Sequence, residues 1–370
     1  MRIDQVTLRL VRLPLIRTFR TSSSTKAHID HILVHVRTGD GGEGWGECAS
    51  PSDPYYCPET TETCWHILRD FLVPGVLGRG WPHPRDLVAH FGPIKGNGFA
   101  RAGLEMAAWD AWTRAGGVSL AAALGGTRLA IESGVSLGIE REIPALLDQV
   151  EQYVAEGYRR IKLKIAPGWD LAPVRAVRER FPDVPLQVDA NSAYTLNDDH
   201  VATLRALDEF DLLLIEQPLA HDDIIDHAQL QPLLRTPICL DESIHSAEDA
   251  LKAINIGACR VINIKVSRVG GLAEAQRIAL ACQGLGVPVW CGGMHEFGVG
   301  RAANIAIASL PGFTLAGDVS GSDKYYHEDL VEPPIRAERG LVAVPTGPGI
   351  GFEPIPERID RATLRTLTLP

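Results

Sequence analysis

Several things are scarce in this sequence, and each shortage removes a class of function. No uninterrupted apolar run reaches the roughly 18 residues needed to cross a bilayer, so no membrane partner is expected. Lysine and arginine form no cluster, and 36 basic against 46 acidic residues leave a formal charge of −10. A nucleic-acid binder needs a basic footprint, so no nucleic-acid partner is expected either. The first residues, MRIDQVTLRLVRLPLIRTFR, carry charge every few positions and lack the apolar stretch of a secretion signal. The seven cysteines (48, 57, 64, 239, 259, 282, 291) are odd in number and contain no C-x-x-C pair. They read as reduced thiols of a cytoplasmic protein, not as a disulfide or zinc framework. No G-x-G-x-x-G follows an early strand, and GGMHEFGVG at 292–300 does not supply the dinucleotide-binding pattern.

What is present is enough for a large core: 45% apolar and 22% charged residues over 370 positions. At roughly 150 residues per domain this suggests two domains, or one barrel with an appendage. Up to about residue 125 the pattern is α+β. VTLRLVRLPL and HILVHVRT alternate apolar and polar residues as antiparallel strands do, with a turn at 39–42 after the second. ARAGLEMAAWDAWTRA has helical spacing and stops at Gly116-Gly117. Beyond 126 short apolar runs alternate with amphipathic stretches: GVSLGI, RIKLKI, LQVDAN, LLLIEQP, ICLDES, VINIKV, PVWCGG and FTLAGD. Eight strands alternating with helices predict a parallel (β/α)8-type barrel. A proline-rich tail follows and is expected to pack back on the first segment.

In such barrels chemistry sits at the carboxyl ends of the strands. Read in order, those ends carry Lys162 and Lys164, then Asp189, Glu216, Asp241 and Lys265, in steps of 25, 27, 25 and 24 residues from Lys164. Each has a simpler reading alone, an acid as a helix cap or a lysine on a solvated strand face. Five charges at one level of five successive strands argue against it. Lys162 and Lys164 share a face, and mutual repulsion with burial is expected to lower their pKa and make one a base. Three carboxylates with no histidine suit a hard cation, Mg²⁺ or alternatively Mn²⁺. Strands 2 and 6 of eight face each other, so Lys164 and Lys265 flank a bound substrate. That arrangement suits removal of a proton next to a carboxylate.

These residues carry a family resemblance. KLK at 162–164, VDAN at 188–191, IEQP at 215–218, LDES at 240–243 and NIK at 263–265 resemble the muconate-lactonizing subgroup of the enolase superfamily. The stretch 291–326, CGGMHEFGVGRAANIAIASLPGFTLAGDVSGSDKYY, is most similar to o-succinylbenzoate synthases and N-succinylamino acid racemases, as are GWGECAS at 44–50 and FRTSSST at 19–25. His295 and Phe297, where small or aliphatic residues are usual, and Ser23, where Phe is common, depart from that pattern. The subgroup with a His–Asp dyad fits poorly, because Lys265 stands at its aspartate position; His295 then reads as structural or pocket-lining.

The resemblance implies a modified enolase-like barrel at 126–320, an α+β capping domain at 1–125 and a C-terminal segment at 321–370 that returns to the cap. It implies Mg²⁺-dependent enolisation of a small carboxylate substrate with a succinyl arm, in a homo-oligomer. As a synthase, Lys164 removes the α-proton and protonates the departing hydroxyl in a syn-dehydration for menaquinone biosynthesis, while Lys265 stays cationic. As a racemase the two lysines alternate as base and acid. Arg268 either depresses the pKa of Lys265 or pairs on the surface. The backbone around Gly292, Gly293 and Met294 is expected to hold the succinyl carboxylate. Phe19 and Ser22 either close over the substrate or, for Phe19, pack the cap. Ser136 and Asn191 touch the substrate or the metal's water, or act as caps, with Glu242 and Asp318 in support. Muconate cycloisomerase and dipeptide epimerase are the alternatives within the subgroup; the epimerase carries Asp-x-Asp after strand 8, where Asp318 is followed by Ser320. A non-catalytic metal-binding homologue is the alternative of another class.

Overall fold

A computed structural model describes residues 1–20 and 24–370. Three antiparallel strands open it: β1 (Ile3–Arg20), β2 (Thr25–Thr38) and β3 (Glu43–Cys48). Their alternating apolar side chains, among them Val6, Leu8, Ile32 and Val34, form a core with helix α1 (Gly98–Ala115). The helix is alanine-rich because β3 lies almost on it. A Cβ at Gly46 would fall 2.1 Å from the Gly103 carbonyl, so only glycine allows this approach. The opposite side of α1 contributes Ala102, Met106 and Trp109 to the larger core. One helix therefore serves two cores.

The second unit has seven parallel strands in chain order: β4 (Val135–Leu137), β5 (Ile161–Lys164), β6 (Leu186–Asp189), β7 (Ile215–Glu216), β8 (Ile238–Leu240), β9 (Val261–Ile264) and β10 (Val289–Cys291). Helices α2 (Ile143–Ala155), α3 (Leu171–Arg180), α4 (Asp198–Ala206), α5 (Ile224–Leu230), α6 (Ala247–Asn255), α7 (Leu272–Gly284) and α8 (Gly298–Ala308) follow them in turn. Their buried faces keep helical spacing, as Leu146, Val150 and Tyr153 do on α2.

The eighth expected strand, FTLAGD at 313–318, is not a regular strand. It makes single bridges, Phe313 to Val289 on one side and Gly317 to Ser133 on the other. Thr314 donates to the Val289 carbonyl and Gly317 to that of Glu132, so the segment serves both neighbours without a continuous ladder. It closes the curled sheet between β10 and the approach to β4.

Two connections tie the sheet of the first unit to the barrel mouth. The Ile139 amide donates to the Arg20 carbonyl (3.0 Å), and the Ile16 amide to the Tyr325 carbonyl (2.9 Å). Buried carboxylates add two more. Glu105 of α1 accepts from the Leu272 and Ala273 amides (2.5 and 2.9 Å) at the start of α7, and Glu47 of β3 accepts from Phe297 and Gly300 (2.9 and 2.8 Å) at the start of α8. Helix starts leave free amides that favour an anion. The strand Thr363–Leu369 pairs antiparallel with β1, from Val11↔Thr363 to Val6↔Leu369. No helix among the described residues is long and apolar enough to cross a membrane.

Candidate active site

Alternation on β5 points Ile161 and Leu163 to the helices and Lys162 and Lys164 to one cavity at the mouth. The Lys162 ammonium reaches Asp318 (2.6 Å), Glu216 (3.0 Å) and Asp189 (3.3 Å). Lys164 reaches Asp189 (2.5 Å) and the Asn191 side-chain oxygen (2.7 Å). Across the mouth, Lys265 pairs with Asp241 (2.8 Å) and lies 3.1 Å from the Tyr56 hydroxyl. β5 and β9 are four positions apart in the sheet, and Lys265, directly after β9, lines the same cavity as Lys164. The structure thus brings Lys162, Lys164, Asp189, Glu216, Asp241 and Lys265 together as one buried network.

Three expectations need correction. Burial alone lowers the pKa of Lys162, but Asp318, Glu216 and Asp189 outweigh it and hold the ammonium above the ordinary lysine range. The cause is the three carboxylates that lie within 3.3 Å of its ammonium. Lys265 is likewise raised, with burial opposed by Tyr56, Glu242 and Glu216. Arg268 does not pair on the surface, and Lys265 is raised with that guanidinium beside it. The arginine is buried, and it shares Asp241 with that lysine while donating to the Ile244 and Asn263 carbonyls (both 2.8 Å). The third correction concerns Gly292, whose amide donates to the Ile264 carbonyl (3.0 Å) and so cannot take a carboxylate.

The remaining sequence candidates fall as follows. Gly293, Met294, Phe19, Ser136, Asn191, Glu242 and Asp318 all line the cavity. Asn191 links Lys164 to Glu242, donating to the latter at 2.8 Å; among the described residues the second Glu242 oxygen and the Ser136 hydroxyl are buried without hydrogen-bond partners. Asp318 is held by Arg160 (2.8 Å) as well as by Lys162. Ser22 and Ser23 lie outside the described residues. His295 lines the cavity with its ring edge-on to Phe19 and Tyr325 (centroids 4.7 and 5.0 Å), and burial pushes its pKa well below the usual value.

Sequence reasoning missed four neighbours of this network. Tyr56 lies within 3.5 Å of Asp241 and touches Lys265 and Arg268, but its loop, PSDPYYCPET, has no periodic pattern to mark it. Asn263 donates to Glu216 (2.9 Å), and Gln217 accepts from the Asp241 amide (3.0 Å). Asn263 was detectable, since it precedes Lys265 by two residues as Lys162 precedes Lys164. Lys26, on β2, also lines the cavity.

Asp189 and Glu216 are register neighbours on adjacent strands. Among the described residues no three His, Cys, Asp or Glu side chains stand in a metal-holding cluster, because ammonium groups lie between the carboxylates. The donor chemistry nevertheless fits a hard cation. Glu216 is pushed up by burial and next by the charge of Asp189, the surplus of negative charge that a divalent ion relieves.

Comparison with known proteins bears on the family and the fold. The mandelate racemase / muconate lactonizing enzyme N-terminal domain matches residues 4–125, and the enolase C-terminal domain-like family matches 145–358. An o-succinylbenzoate synthase of Geobacillus kaustophilus is 52% identical over 98% of this chain and 96% of its own. An N-succinylamino acid racemase of an Amycolatopsis species is 50% identical over 98% of each chain. The solved structure of an enolase-superfamily member from Listeria innocua superposes with a TM-score of 0.96 at 40% identity, covering 100% of this chain and 99% of that one. On fold, strand-end residues and full-length similarity, the chain belongs to the enolase superfamily of metal-dependent enzymes.

Proposed function

We propose that this enzyme enolises a small carboxylate substrate bearing a succinyl arm, as an o-succinylbenzoate synthase, an N-succinylamino acid racemase, or both. The observation that carries this reading is the placement of Lys164 and Lys265 at the ends of strands four apart, facing one cavity. Asp189, Glu216 and Asp241 are the residues that would hold Mg²⁺, or Mn²⁺ in its place, and the ion would neutralise charge developing on the substrate carboxylate.

Lys164 takes the α-proton on its amine nitrogen, which Asn191 holds in place while Glu242 fixes Asn191. In the dehydration the same lysine returns that proton to the departing hydroxyl, on the face from which it was taken. Lys265 stands on the other face as a cation stabilising the enediolate, or as the second acid and base when the configuration inverts. Lys162, locked among three carboxylates, is a positioning residue. The amides of Gly293 and Met294 would hold the succinyl carboxylate, with Ser136 and Phe19 completing the wall of the cavity that all four residues line. Asp318 is committed to Lys162 and Arg160, which leaves no acid on the closing segment for a peptide amine and weighs against dipeptide epimerisation.

The test follows α-proton exchange in D₂O with each enantiomer of an N-succinyl amino acid, together with dehydration of the synthase substrate. Lys164→Ala is expected to lower dehydration by roughly 10²–10⁴-fold. Lys265→Ala is expected to abolish racemisation while one enantiomer still exchanges. Dehydration surviving in Lys164→Ala, or racemisation surviving in Lys265→Ala, would falsify the assignment. Calorimetry showing no Mg²⁺ binding would favour a non-catalytic homologue instead.

A further inference from the structure

One cation in the cavity has no part in the network described above. Lys26 lies on β2 directly opposite Phe19 on β1, on the hairpin end that the Arg20–Ile139 bond ties to the barrel. Its side chain is half-buried between the active-site cavity and a neighbouring one lined also by Asp53 and Met294. Among the described residues it forms no ion pair. Burial lowers its pKa, Asp53 opposes this only through space, and Lys265 and Lys164 lower it further. A half-buried ammonium facing two like charges is costly unless a ligand anion completes it. A surface lysine that merely raised solubility would turn to water, and this one does not.

Resting on the function proposed above, we propose that Lys26 is a specificity residue that binds a second carboxylate of the substrate. The position suits the role: Phe19, His295 and Met294 surround the approach with apolar and uncharged groups, so a charge-assisted hydrogen bond there is poorly screened. Two parts of a substrate can supply that carboxylate, the succinyl arm or an acidic amino-acid side chain.

The experiment compares wild type, Lys26→Gln and Lys26→Arg on N-succinylmethionine, N-acetylglutamate and N-acetylmethionine, reading kcat/KM for α-proton exchange. The expected result is that Lys26→Gln lowers a dicarboxylate-over-monocarboxylate preference by about tenfold, the size of one charge-assisted hydrogen bond, through KM. Lys26→Arg restores it. Loss confined to N-succinylmethionine identifies the succinyl arm; loss confined to N-acetylglutamate identifies the side chain. Preferences within twofold of wild type for both dicarboxylates overturn the proposal. If wild type exchanges no substrate, the functional reading fails separately, and calorimetric binding of glutarate decides Lys26: weaker binding by Lys26→Gln supports the anion site and equal binding overturns it.

Discussion

Gly292 gives Lys265 its room. A Cβ at that position would lie 2.3 Å from the Asn263 side-chain oxygen and 2.8 Å from Cγ of Lys265, and the Gly292 amide is anchored to the Ile264 carbonyl, so the backbone cannot retreat. The clash is therefore resolved by moving Asn263, which holds Glu216, and Lys265, which holds Asp241. Gly292→Ala is expected to cost about 1–3 kcal/mol of stability by overpacking. It is also expected to reduce kcat for proton exchange at least tenfold in the protein that remains folded. Thermal unfolding and steady-state rates measured on one preparation separate the two effects, and an unchanged kcat would show that Lys265 tolerates displacement. The six network residues were legible in the sequence because each is a charge at the end of an apolar strand. Tyr56 was not, since a side chain delivered from a turn-rich loop obeys no period. The raised state of Lys162 was misjudged because sequence places two lysines side by side and does not show that Asp318 folds in beside them.

At the scale of elements, α7 and α8 are capped from outside their own sequence. Gly271 precedes α7 without a side-chain cap, and Glu105 of α1 takes that place. Burial pushes the Glu105 carboxyl up to about 7 despite the bonds from Ala273, Leu272 and Trp109 that favour its anion. Its ordinary value is 4.5, so between pH 4.5 and about 7 the folded state holds more protons than the unfolded. Stability is then lost as pH rises through that window. Relative to Glu105→Gln, which does not titrate, wild type is expected to lose Tm across it, whatever the constant offset between the two proteins. A parallel pair of Tm profiles would show instead that the helix start keeps Glu105 ionised throughout. No sequence pattern announced this cap, because the acid and the amides it serves are about 170 positions apart (168 for Ala273). The alternation of strand and helix was legible for seven units. It failed at the eighth because FTLAGD looks apolar but bridges two neighbours at single points rather than extending along either.

The molecule as a whole is closed by its two ends. The strand Thr363–Leu369 covers the outer edge of β1, and Leu367 and Leu369 pack on the core beneath. Removing residues 363–369 uncovers backbone donors and acceptors along β1, an edge that pairs readily with other chains. The truncated protein is expected to melt several degrees lower and to associate with increasing concentration, while the barrel residues that face the cavity keep their places. Light scattering with thermal unfolding checks this; an association state and Tm unchanged from the full-length protein would mean that the β1 edge needs no cover. The prolines mark where the barrel pattern stops, but not the register of the last strand on β1, which depends on contacts at the far end of the chain.

That closing strand also governs the order of assembly. The side chains of Thr7 and Thr368 meet although 361 positions separate them, and Glu47 waits for an amide 253 positions later. Contacts this distant form slowly, because loop closure precedes any gain from them. A nascent chain therefore carries an unsatisfied sheet edge and two uncapped anions while the barrel is still being made. Its vulnerable period is set by elongation time rather than by the speed of local folding.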